Sequence, residues 1–333
     1  MGETAMHIGV IGAGAWGTAL AIAMTGAGHH VTLWAREAEL ARDMAERREN
    51  ALYLPGIPLP DAITPTNERG DLAADIVLLV APAQATRQVM TDFARHLAPA
   101  TPLIICAKGI ERDSGKFLTE VVRETADHAR PYVLSGPSFA REVAMGKPAA
   151  VTLAGDDIAP TRALARRLAH PALRIYSSDD PLGAQIGGAM KNVLAIACGI
   201  VAGRGFGESA RAALLTRAFA ELHRFGIALG AKPETLNGLS GLGDLLLTAT
   251  SEQSRNYSLG VALGQGRALA DILGERSAVT EGVHSAQIAM RLAERHGIDM
   301  PICAAVAAVV SGVASVDEQI ARLLNRPLKD ETG

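Results

Sequence analysis

The stretch HIGVIGAGAWGTALAIAMTGAGHHVTLW, residues 7–34, decides the fold. It reads as a strand over 7–11, a glycine-rich turn, a helix over 16–25, a glycine-containing stop, and a second strand over 31–34. A strand, a crossover helix and a second strand in this order form a βαβ unit, in which the two strands are parallel. The stretch therefore predicts the opening unit of an α/β domain.

Three glycines, Gly12, Gly14 and Gly17, form a GxGxxG pattern in the turn between the first strand and the helix. In a dinucleotide-binding fold the first glycine makes the tight turn, the second lets the backbone approach a pyrophosphate, and the third lets the helix pack closely on the strand. The helix N-terminus then faces the anion. The pattern alone also fits an ordinary glycine turn. Because strand, turn, helix and second strand are all in place, we predict dinucleotide binding.

Further apolar runs follow this unit, separated mostly by helical patterns. The runs span residues 76–80, 103–106, 132–134, 150–153 and 173–176. Runs that are apolar at every position are typical of strands covered on both faces, as in a parallel sheet flanked by helices. A charged segment over 37–48 predicts a helix, and the proline-rich segment 55–65 predicts a loop. Residues 1–180 are therefore predicted to form a Rossmann-type, doubly wound α/β domain.

The strand pattern stops after Asp180. From 181 to 325 the chain consists of long segments rich in Ala, Leu and Ile, broken by glycine clusters at 203–207 and 238–243. Apolar segments of this length favour helices over strands. Residues 181–333 are predicted to form an all-helical C-terminal domain.

The bulk composition favours a protein that acts on small molecules. The formal net charge is −3, so the chain has no sequence-wide positive field, and we expect neither nucleic acid nor an anionic membrane as its main partner. The three cysteines, Cys106, Cys198 and Cys303, are far apart, which matches neither a zinc site nor a disulfide scaffold. We expect no metal site, and a reducing, cytoplasmic location.

The segment from Gly183 to Gly203 holds one charged side chain, Lys191, in an otherwise small and apolar run. Its length approaches that of a membrane span, but a charge at mid-span is costly, so we predict a buried helix of the second domain and no integral membrane segment. Burial disfavours the ammonium form of a lysine and lowers its pKa toward the range useful for proton transfer. Lys191 is therefore a candidate acid–base catalyst; the alternative is a structural lysine whose amine reaches solvent.

A buried ammonium needs a partner of opposite charge. Asp244 ends the motif GLGD and has apolar residues on both sides, which makes it the best candidate for that partner. The alternative for this aspartate is a helix N-cap.

Arg36 follows the second strand, where an NAD-selective site usually has an acidic residue for the ribose hydroxyls. An arginine can instead pair with a 2′-phosphate, which favours NADP(H) or the use of both cofactors. Glu37 and Glu39 lie close by, and a solvated arginine at a helix start is the alternative. The choice between NADP(H) and NAD(H) stays open.

Three further segments carry candidate binding groups. Lys108 follows a strand end, where open α/β sheets place ligands, and suits an anionic group; a surface lysine is the alternative. The motif SGPSFA, 135–140, can turn backbone N–H groups toward a ligand or form a simple turn capped by Ser138. Residues 254–256, Ser-Arg-Asn, begin a helical pattern and suit phosphate, or form a cap beside an exposed arginine.

Six motifs in register, GAGAWG, AKG, SGPSFA, GGAMKNV, GLGD and QSRN, span essentially the whole chain. The set resembles the bacterial NAD(P)-dependent glycerol-3-phosphate dehydrogenases. The resemblance implies a Rossmann domain followed by a helical domain, usually as a homodimer. It also implies reversible reduction of dihydroxyacetone phosphate to sn-glycerol 3-phosphate, for phospholipid synthesis, with NADP(H) or NAD(H).

The resemblance also implies roles for single residues. Lys191 matches the family's proton donor and acceptor. The positions that match its substrate-binding residues are Lys108, Gly136, Ser138, Lys191, Asp244, Ser254, Arg255 and Asn256. Beside the three glycines of the turn, the positions that match its cofactor-binding residues are Ala15, Trp16, Arg36, Lys108, Ala140, Arg255, Val279 and Glu281.

Two other functions stay open at this point. A β-hydroxyacid dehydrogenase also combines a Rossmann domain, a helical domain and a lysine, but it binds a carboxylate where this chain offers groups suited to phosphate. A dinucleotide sensor without catalysis has no use for a lysine and an aspartate in apolar surroundings.

Overall fold

The computed structural model describes residues 4–275, 281–327 and 330, and contacts divide the chain into two units. Unit 1 comprises Met1–Gly188 and Glu234–Asp244, and unit 2 comprises Ala189–Pro233 and Leu245–Gly333. The division falls inside helix α7 (Pro181–Gly203), not at residue 180. The first turns of α7 are bonded within unit 1, where Gln185 Nε2 donates to Thr119 Oγ1 at 3.0 Å.

Unit 1 is built on one eight-stranded sheet. In chain order the strands are β1 (His7–Ile11), β2 (His30–Trp34), β3 (Ile63–Thr66), β4 (Ile76–Leu79), β5 (Pro102–Ile105), β6 (Arg130–Ser135), β7 (Ala149–Ala154) and β8 (Leu173–Ser178). Their spatial order is β3-β2-β1-β4-β5-β6-β7-β8. The order reverses beside β1, as in a doubly wound sheet. The predicted Rossmann-type architecture is confirmed.

One neighbouring pair departs from the predicted parallel sheet, because β6 and β7 are antiparallel. The helix between them, α5 (Ala140–Ala144), has five residues and is about 7.5 Å long, well short of the roughly 20 Å length of a six-residue strand. It is too short to serve as the crossover helix that usually joins two parallel strands, and β7 runs back beside β6.

Strand β3 lies in the segment that the sequence predicted to be a proline-rich loop. It is at one edge of the sheet and pairs with β2, with Pro65 opposite Leu33. Proline cannot donate a hydrogen bond to a strand on its far side, which is tolerated at an edge. The proline that argued against a strand is therefore compatible with this one.

Both faces of the sheet are covered. Val10 and Leu78 belong to one buried cluster, whereas the next residues along the same strands, Ile11 and Leu79, belong to another. Because side chains alternate across a strand, this pattern places one core on each face. The other helices here are α1 (Ala15–Gly26), α2 (Ala38–Arg47), α3 (Thr86–Phe93), α4 (Leu118–Thr125), α6 (Ile158–Leu168) and α9 (Pro233–Asn237).

Unit 2 is helical throughout its described residues, as predicted. Besides the later part of α7 and the last residues of α10 (Asp244–Ala249), its helices are α8 (Gly207–Ala228), α11 (Arg255–Gly264), α12 (Leu269–Gly274), α13 (Glu281–Arg295), α14 (Pro301–Val310) and α15 (Val316–Leu324).

Helix α7 packs directly against the backbone of α11. A Cβ on Gly199 would lie 2.1 Å from the carbonyl oxygen of Tyr257, and one on Gly260 would lie 2.1 Å from that of Ile196. The helix is long and apolar enough to span a membrane, and its most apolar 18-residue window has a mean hydropathy of 1.6, but 83% of that window is buried inside the protein. Its composition is therefore explained by close packing in a protein core.

A buried carboxylate, Glu221 of α8, caps helix α14. It is 2% exposed and accepts hydrogen bonds from the N–H groups of Ile302 at 2.7 Å and Cys303 at 3.1 Å. These N–H groups belong to the first turn of α14, where backbone donors have no acceptor within their own helix. Burial raises the pKa of Glu221 above its ordinary value of 4.5, although the two backbone bonds oppose the shift.

The variant Glu221→Gln tests this cap. A raised pKa in the folded state means that the carboxyl favours folding most below pH 4.5, and that this contribution is lost as the pH rises through the folded-state pKa. Glutamine does not titrate, so it does not lose stability in this way. We therefore expect the free energy of unfolding of the variant, minus that of the unmodified chain, to increase as the pH rises from about 4 to about 8. Urea unfolding at a series of pH values measures the difference.

The control is Glu318→Gln in the capping box of α15. Bonds from Ser315 lower the pKa of Glu318, so its contribution is present above pH 4.5 and is lost as the pH falls through the folded-state pKa. The two variants should therefore show pH dependences of opposite sign. Equal slopes would contradict the assignment of Glu221.

Candidate active site

The glycine-rich turn has the geometry of a dinucleotide-binding turn. Gly12 has φ +116°, a conformation that disfavours other residues, and a Cβ on Gly17 would lie 1.8 Å from the carbonyl oxygen of Gly12. A Cβ on Gly14 would meet nothing within 4 Å, so the backbone there borders open space. Ala15 and Trp16 open helix α1 directly after it. These residues fit a dinucleotide pyrophosphate at the helix N-terminus.

Arg36 lies just beyond the end of β2. Its side chain is 84% exposed, and its Nε donates to Glu37 Oε1 at 2.7 Å. Helix α2 begins two residues later, with Glu37 at the N-cap position. The guanidinium is therefore accessible to a ligand from solution, and its pairing with a 2′-phosphate stays a prediction.

A buried ion pair lies at the carboxyl ends of β5 and β6. Lys108 Nζ donates to Asp244 Oδ2 at 2.6 Å and to the carbonyl oxygen of Gly136 at 3.0 Å, and the side chains are 14% and 0% exposed. An ammonium has three N–H donors, and these two bonds use two of them. Within the described part of the chain no third bond to this ammonium is seen, so one donor is left for an anionic ligand.

Gly136 is the centre of this cluster. Its carbonyl oxygen also accepts a bond from Ser138 Oγ at 3.1 Å. A Cβ on Gly136, whose φ is +153°, would lie 2.8 Å from Val151 Cα, so only glycine fits between β6 and β7. The N-cap of α5 is Phe139, not Ser138, and α5 then begins at Ala140.

Asp244 is presented by an irregular helix. A π-helical turn, Leu239–Gly243, leads into α10, which begins at Asp244. This turn touches α7 closely, since a Cβ on Gly187 would lie 2.2 Å from the carbonyl oxygen of Ser240. Turns of this kind are rare and frequently occur at functional sites. The aspartate predicted as the partner of Lys191 is thus bonded to Lys108, and a contact with Lys191 stays a prediction.

The loop that carries Lys108 is held by residues that the sequence analysis did not single out. Gln84 donates from Nε2 to the carbonyl oxygen of Ile110 and accepts from the N–H of Arg112, both at 2.9 Å. Arg87 makes a two-pronged contact with Glu111, at 2.9 and 2.8 Å, and lowers the pKa of that carboxyl. Gln84 and Arg87 follow the end of β4, and their partners lie more than 20 residues further along the chain. The local sequence therefore gave no indication of these bonds.

Cys106 sits just before Lys108 at the end of β5, but it does not supply a nucleophile. Burial raises the pKa of its thiol far above the ordinary range, and the charge of Lys108 opposes this only in part. The side chain is 2% exposed and remains a neutral thiol near pH 7.

In unit 2, Lys191 lies in α7 and is 7% exposed, as its apolar setting predicted. The adjacent Asn192 accepts from Asn256 Nδ2 at 2.9 Å, and Asn256 Oδ1 accepts from the N–H of Gly282 at 3.1 Å. Asn256 therefore joins helices α7, α11 and α13 one residue from Lys191 and one residue from Glu281.

The segment 254–256 forms a helix cap beside an exposed arginine, which is the alternative to a phosphate site given by the sequence. Ser254 is the N-cap of α11, with Oγ accepting from the N–H of Tyr257 at 3.2 Å, and Arg255 is exposed in the first turn. A capped helix N-terminus with an exposed arginine is still suited to an anion, so phosphate binding here stays a prediction. Val279, predicted to bind the cofactor, lies outside the described residues.

Two family profiles match this chain in succession. The profile described as the NAD-dependent glycerol-3-phosphate dehydrogenase N-terminus matches residues 7–160, and the profile for the C-terminus matches residues 180–321. The chain belongs to the NAD-dependent glycerol-3-phosphate dehydrogenase family. It is therefore an NAD(P)-dependent oxidoreductase, as the turn and the six motifs predicted.

Individual members of the family are similar over nearly their whole length. Glycerol-3-phosphate dehydrogenase [NAD(P)+] of Methylobacterium radiotolerans is 56% identical over 327 residues, which cover 98% of each chain. The enzyme of the same name from Parvibaculum lavamentivorans is 54% identical over 326 residues, again 98% of each. The crystal structure of glycerol-3-phosphate dehydrogenase from Coxiella burnetii is 35% identical, with a TM-score of 0.92 over 97% of this chain and 99% of that one.

Lys108→Met and Asp244→Asn, alone and together, test the buried pair. Each single change leaves one partner without its opposite charge, so the two losses in free energy of unfolding should not add, with a coupling of about 1 kcal/mol or more. Urea unfolding of the three variants and the unmodified chain measures that coupling.

The exposed pair Lys147–Glu142, at 4.0 Å, is the control for the same cycle. Because solvent screens the charges of this pair, we expect its coupling energy to be no more than about 0.3 kcal/mol. Additive losses at Lys108 and Asp244 would mean that their contact contributes nothing to the fold.

Arg36→Ala tests the choice of cofactor. If the guanidinium pairs with a 2′-phosphate, the KM for NADPH should rise about tenfold or more, as expected for loss of a charge-assisted bond, while that for NADH changes little. Steady-state kinetics with both cofactors measure the ratio. Arg42→Ala, on the exposed face of α2, is the control. An equal rise for both cofactors would assign Arg36 no role in selecting between them.

Proposed function

We propose that this chain reduces dihydroxyacetone phosphate to sn-glycerol 3-phosphate with NADPH or NADH, and catalyses the reverse reaction. Its curated relatives at 52–56% identity are named glycerol-3-phosphate dehydrogenase [NAD(P)+]. The observation within the chain that carries the proposal is Lys191, the one charged residue in the sequence of helix α7, whose side chain is buried at 7% exposure.

The proposed chemistry is general acid catalysis by Lys191. A bound nicotinamide supplies the hydride for C2 of the ketone. Lys191 donates a proton to the oxygen on C2 as negative charge develops there, which combines proton transfer with electrostatic stabilisation. In the reverse direction its neutral amine removes the proton of the C2 hydroxyl.

In unit 1 the proposed substrate contacts are made by Lys108, Gly136, Ser138 and Asp244. The remaining N–H donor of Lys108 binds an anionic oxygen, and its bond to Asp244 fixes the ammonium in one position. Ser138 Oγ, which donates to Gly136, can accept a hydrogen bond from a substrate hydroxyl. The glycine-rich turn and Ala140 contribute to binding of the dinucleotide.

In unit 2 the proposed phosphate contacts come from the first turn of α11. Arg255 supplies a forked cation, and the N-terminus of the helix supplies the favourable end of its dipole. Ser254 and Asn256 complete the set proposed for the substrate, and Glu281, at the start of α13, is proposed to contact the cofactor.

We also propose that the enzyme acts in the cytoplasm as a homodimer and that its product serves phospholipid synthesis. The low cysteine content and the family's usual assembly support this. Light scattering coupled to size-exclusion chromatography measures the mass, and a monomer of 34.7 kDa at assay concentrations would refute the dimer.

Lys191→Met tests the proposed acid. Methionine fills much of the same space without the ammonium, so kcat for dihydroxyacetone phosphate should fall about 100-fold or more while NADPH still binds. The loss of NADPH absorbance measures turnover, and a fluorescence titration measures cofactor binding, so the two effects are separated.

Lys147→Met removes the same charge from an exposed site and is the control. Undiminished turnover by the Lys191 variant would refute the role of the lysine. An unmodified chain that oxidises NADPH with a β-keto acid but not with dihydroxyacetone phosphate would favour the β-hydroxyacid dehydrogenase. Binding without oxidation of either substrate would favour a sensor.

A further inference from the structure

A buried asparagine, Asn50, is bonded to the glycine-rich turn from a distant part of the chain. It is 0% exposed and follows helix α2. Its Nδ2 donates to the carbonyl oxygen of Ala13 and to Thr18 Oγ1, both at 2.8 Å. Its Oδ1 accepts from the N–H of Tyr53 at 3.2 Å. Both N–H donors and the carbonyl of this side chain are therefore engaged.

The chemistry of these partners fixes the orientation of the amide. Turning it over would bring Oδ1 against the carbonyl oxygen of Ala13, so that two acceptors would face each other. It would also bring Nδ2 against the N–H of Tyr53. The side-chain amide of Asn50 can therefore face the carbonyl oxygen of Ala13 only with its NH₂ group, as a donor.

The bond to Ala13 sets the direction of the next N–H group. In a trans peptide the C=O and the following N–H point in opposite directions. With the Ala13 oxygen held toward Asn50, the N–H of Gly14 points away from Asn50. A Cβ on Gly14 would meet nothing within 4 Å, so this peptide borders the open space in front of α1. A flipped peptide would instead turn a carbonyl oxygen, with its partial negative charge, toward that space.

We propose that Asn50 is a positioning residue for the dinucleotide. It holds the Ala13–Gly14 peptide with the N–H available to the pyrophosphate and keeps the Ala13 carbonyl from facing that anion. Through Thr18 it also holds the first turn of α1 in register with the turn. Because the arrangement exists before binding, the dinucleotide need not order it. The proposal rests on the dinucleotide-dependent function proposed above.

The backbone that carries Asn50 is itself fixed. Arg48, two residues earlier, has a left-handed conformation with φ 52°, and its Nη1 donates to the carbonyl oxygen of Ile63 at 3.0 Å. A second guanidinium nitrogen is bonded to the carbonyl of Pro60. On the other side, the N–H of Leu54 donates to the carbonyl of Asn50 at 2.8 Å. The asparagine therefore acts from an anchored loop.

The test compares Asn50→Ala with His29→Ala. His29 is also buried, at 4% exposure, and makes two bonds across the fold, to the N–H of Met6 at 3.3 Å and to the carbonyl of Arg167 at 2.8 Å. It lies where β1 and β2 begin, whereas the glycine-rich turn follows the end of β1. Both changes should lower the melting temperature, but only one touches the turn.

We expect the Kd for NADPH, from fluorescence titration, to rise about tenfold or more in Asn50→Ala and to stay within about twofold in His29→Ala, since loss of one or two buried bonds at the turn is of that size. Amide hydrogen exchange over residues 12–18 should be faster in the Asn50 variant without any ligand. The KM for dihydroxyacetone phosphate at saturating NADPH should not change.

A wild-type Kd in Asn50→Ala would overturn the proposal, and so would an equal loss of affinity in both variants. If Asn50→Ala does not fold, Asn50→Asp keeps the acceptor for Tyr53 and removes both donors, and an unchanged Kd there overturns the proposal equally. An unmodified chain that binds neither NADPH nor NADH would overturn the proposed function and this inference with it. Binding by the unmodified chain and by both variants alike would refute the inference alone.

Discussion

Direct contact between backbones, with no side chain between them, is the constraint on which both units depend. In unit 1, the first helix can start where it does only because Gly17 lacks a Cβ that would overlap the carbonyl of Gly12. In unit 2, α7 and α11 approach until Gly199 and Gly260 touch carbonyl oxygens of the opposite helix. Atoms at such separations leave no room for a methyl group, so these positions tolerate only glycine without a shift of whole helices.

The same constraint shapes the surroundings of the reactive groups. Gly136 brings β6 against β7 and leaves its carbonyl free to accept from Lys108 and Ser138. Gly187 lets α7 rest on the π-helical turn that presents Asp244. Glycines in the motifs SGPSFA and GGAMKNV therefore allow the close backbone packing that surrounds the charged side chains. Each motif combines a glycine needed for packing with a residue proposed to bind or react.

Most of the fold could be predicted from the sequence because its signals are local. Val10, Ile11 and their neighbours are apolar at every position because both sheet faces are buried, and the glycines after them mark the turn. Strand β3 escaped prediction because proline argues against strands in general, and only the position at a sheet edge removes the objection. The reversal of β7 depended on the length of α5, which no periodicity indicated. At the buried ion pair the sequence indicated Lys108 and Asp244 as single residues but not the bond between them. The bond of Asp244 to Lys108 gave no signal in the sequence because it joins segments far apart in the chain, and Asn50 was not singled out because it lies between helix α2 and the proline-rich segment.

The proline in β3 also has a consequence for how the molecule behaves in a crowded solution. An outermost strand normally exposes a row of amide and carbonyl groups that can recruit a strand from another molecule and begin an aggregate. Pro65 withholds one amide from that row, and the strand is only four residues long. The residue that breaks the regularity of the edge thereby protects it against growth into a fibre.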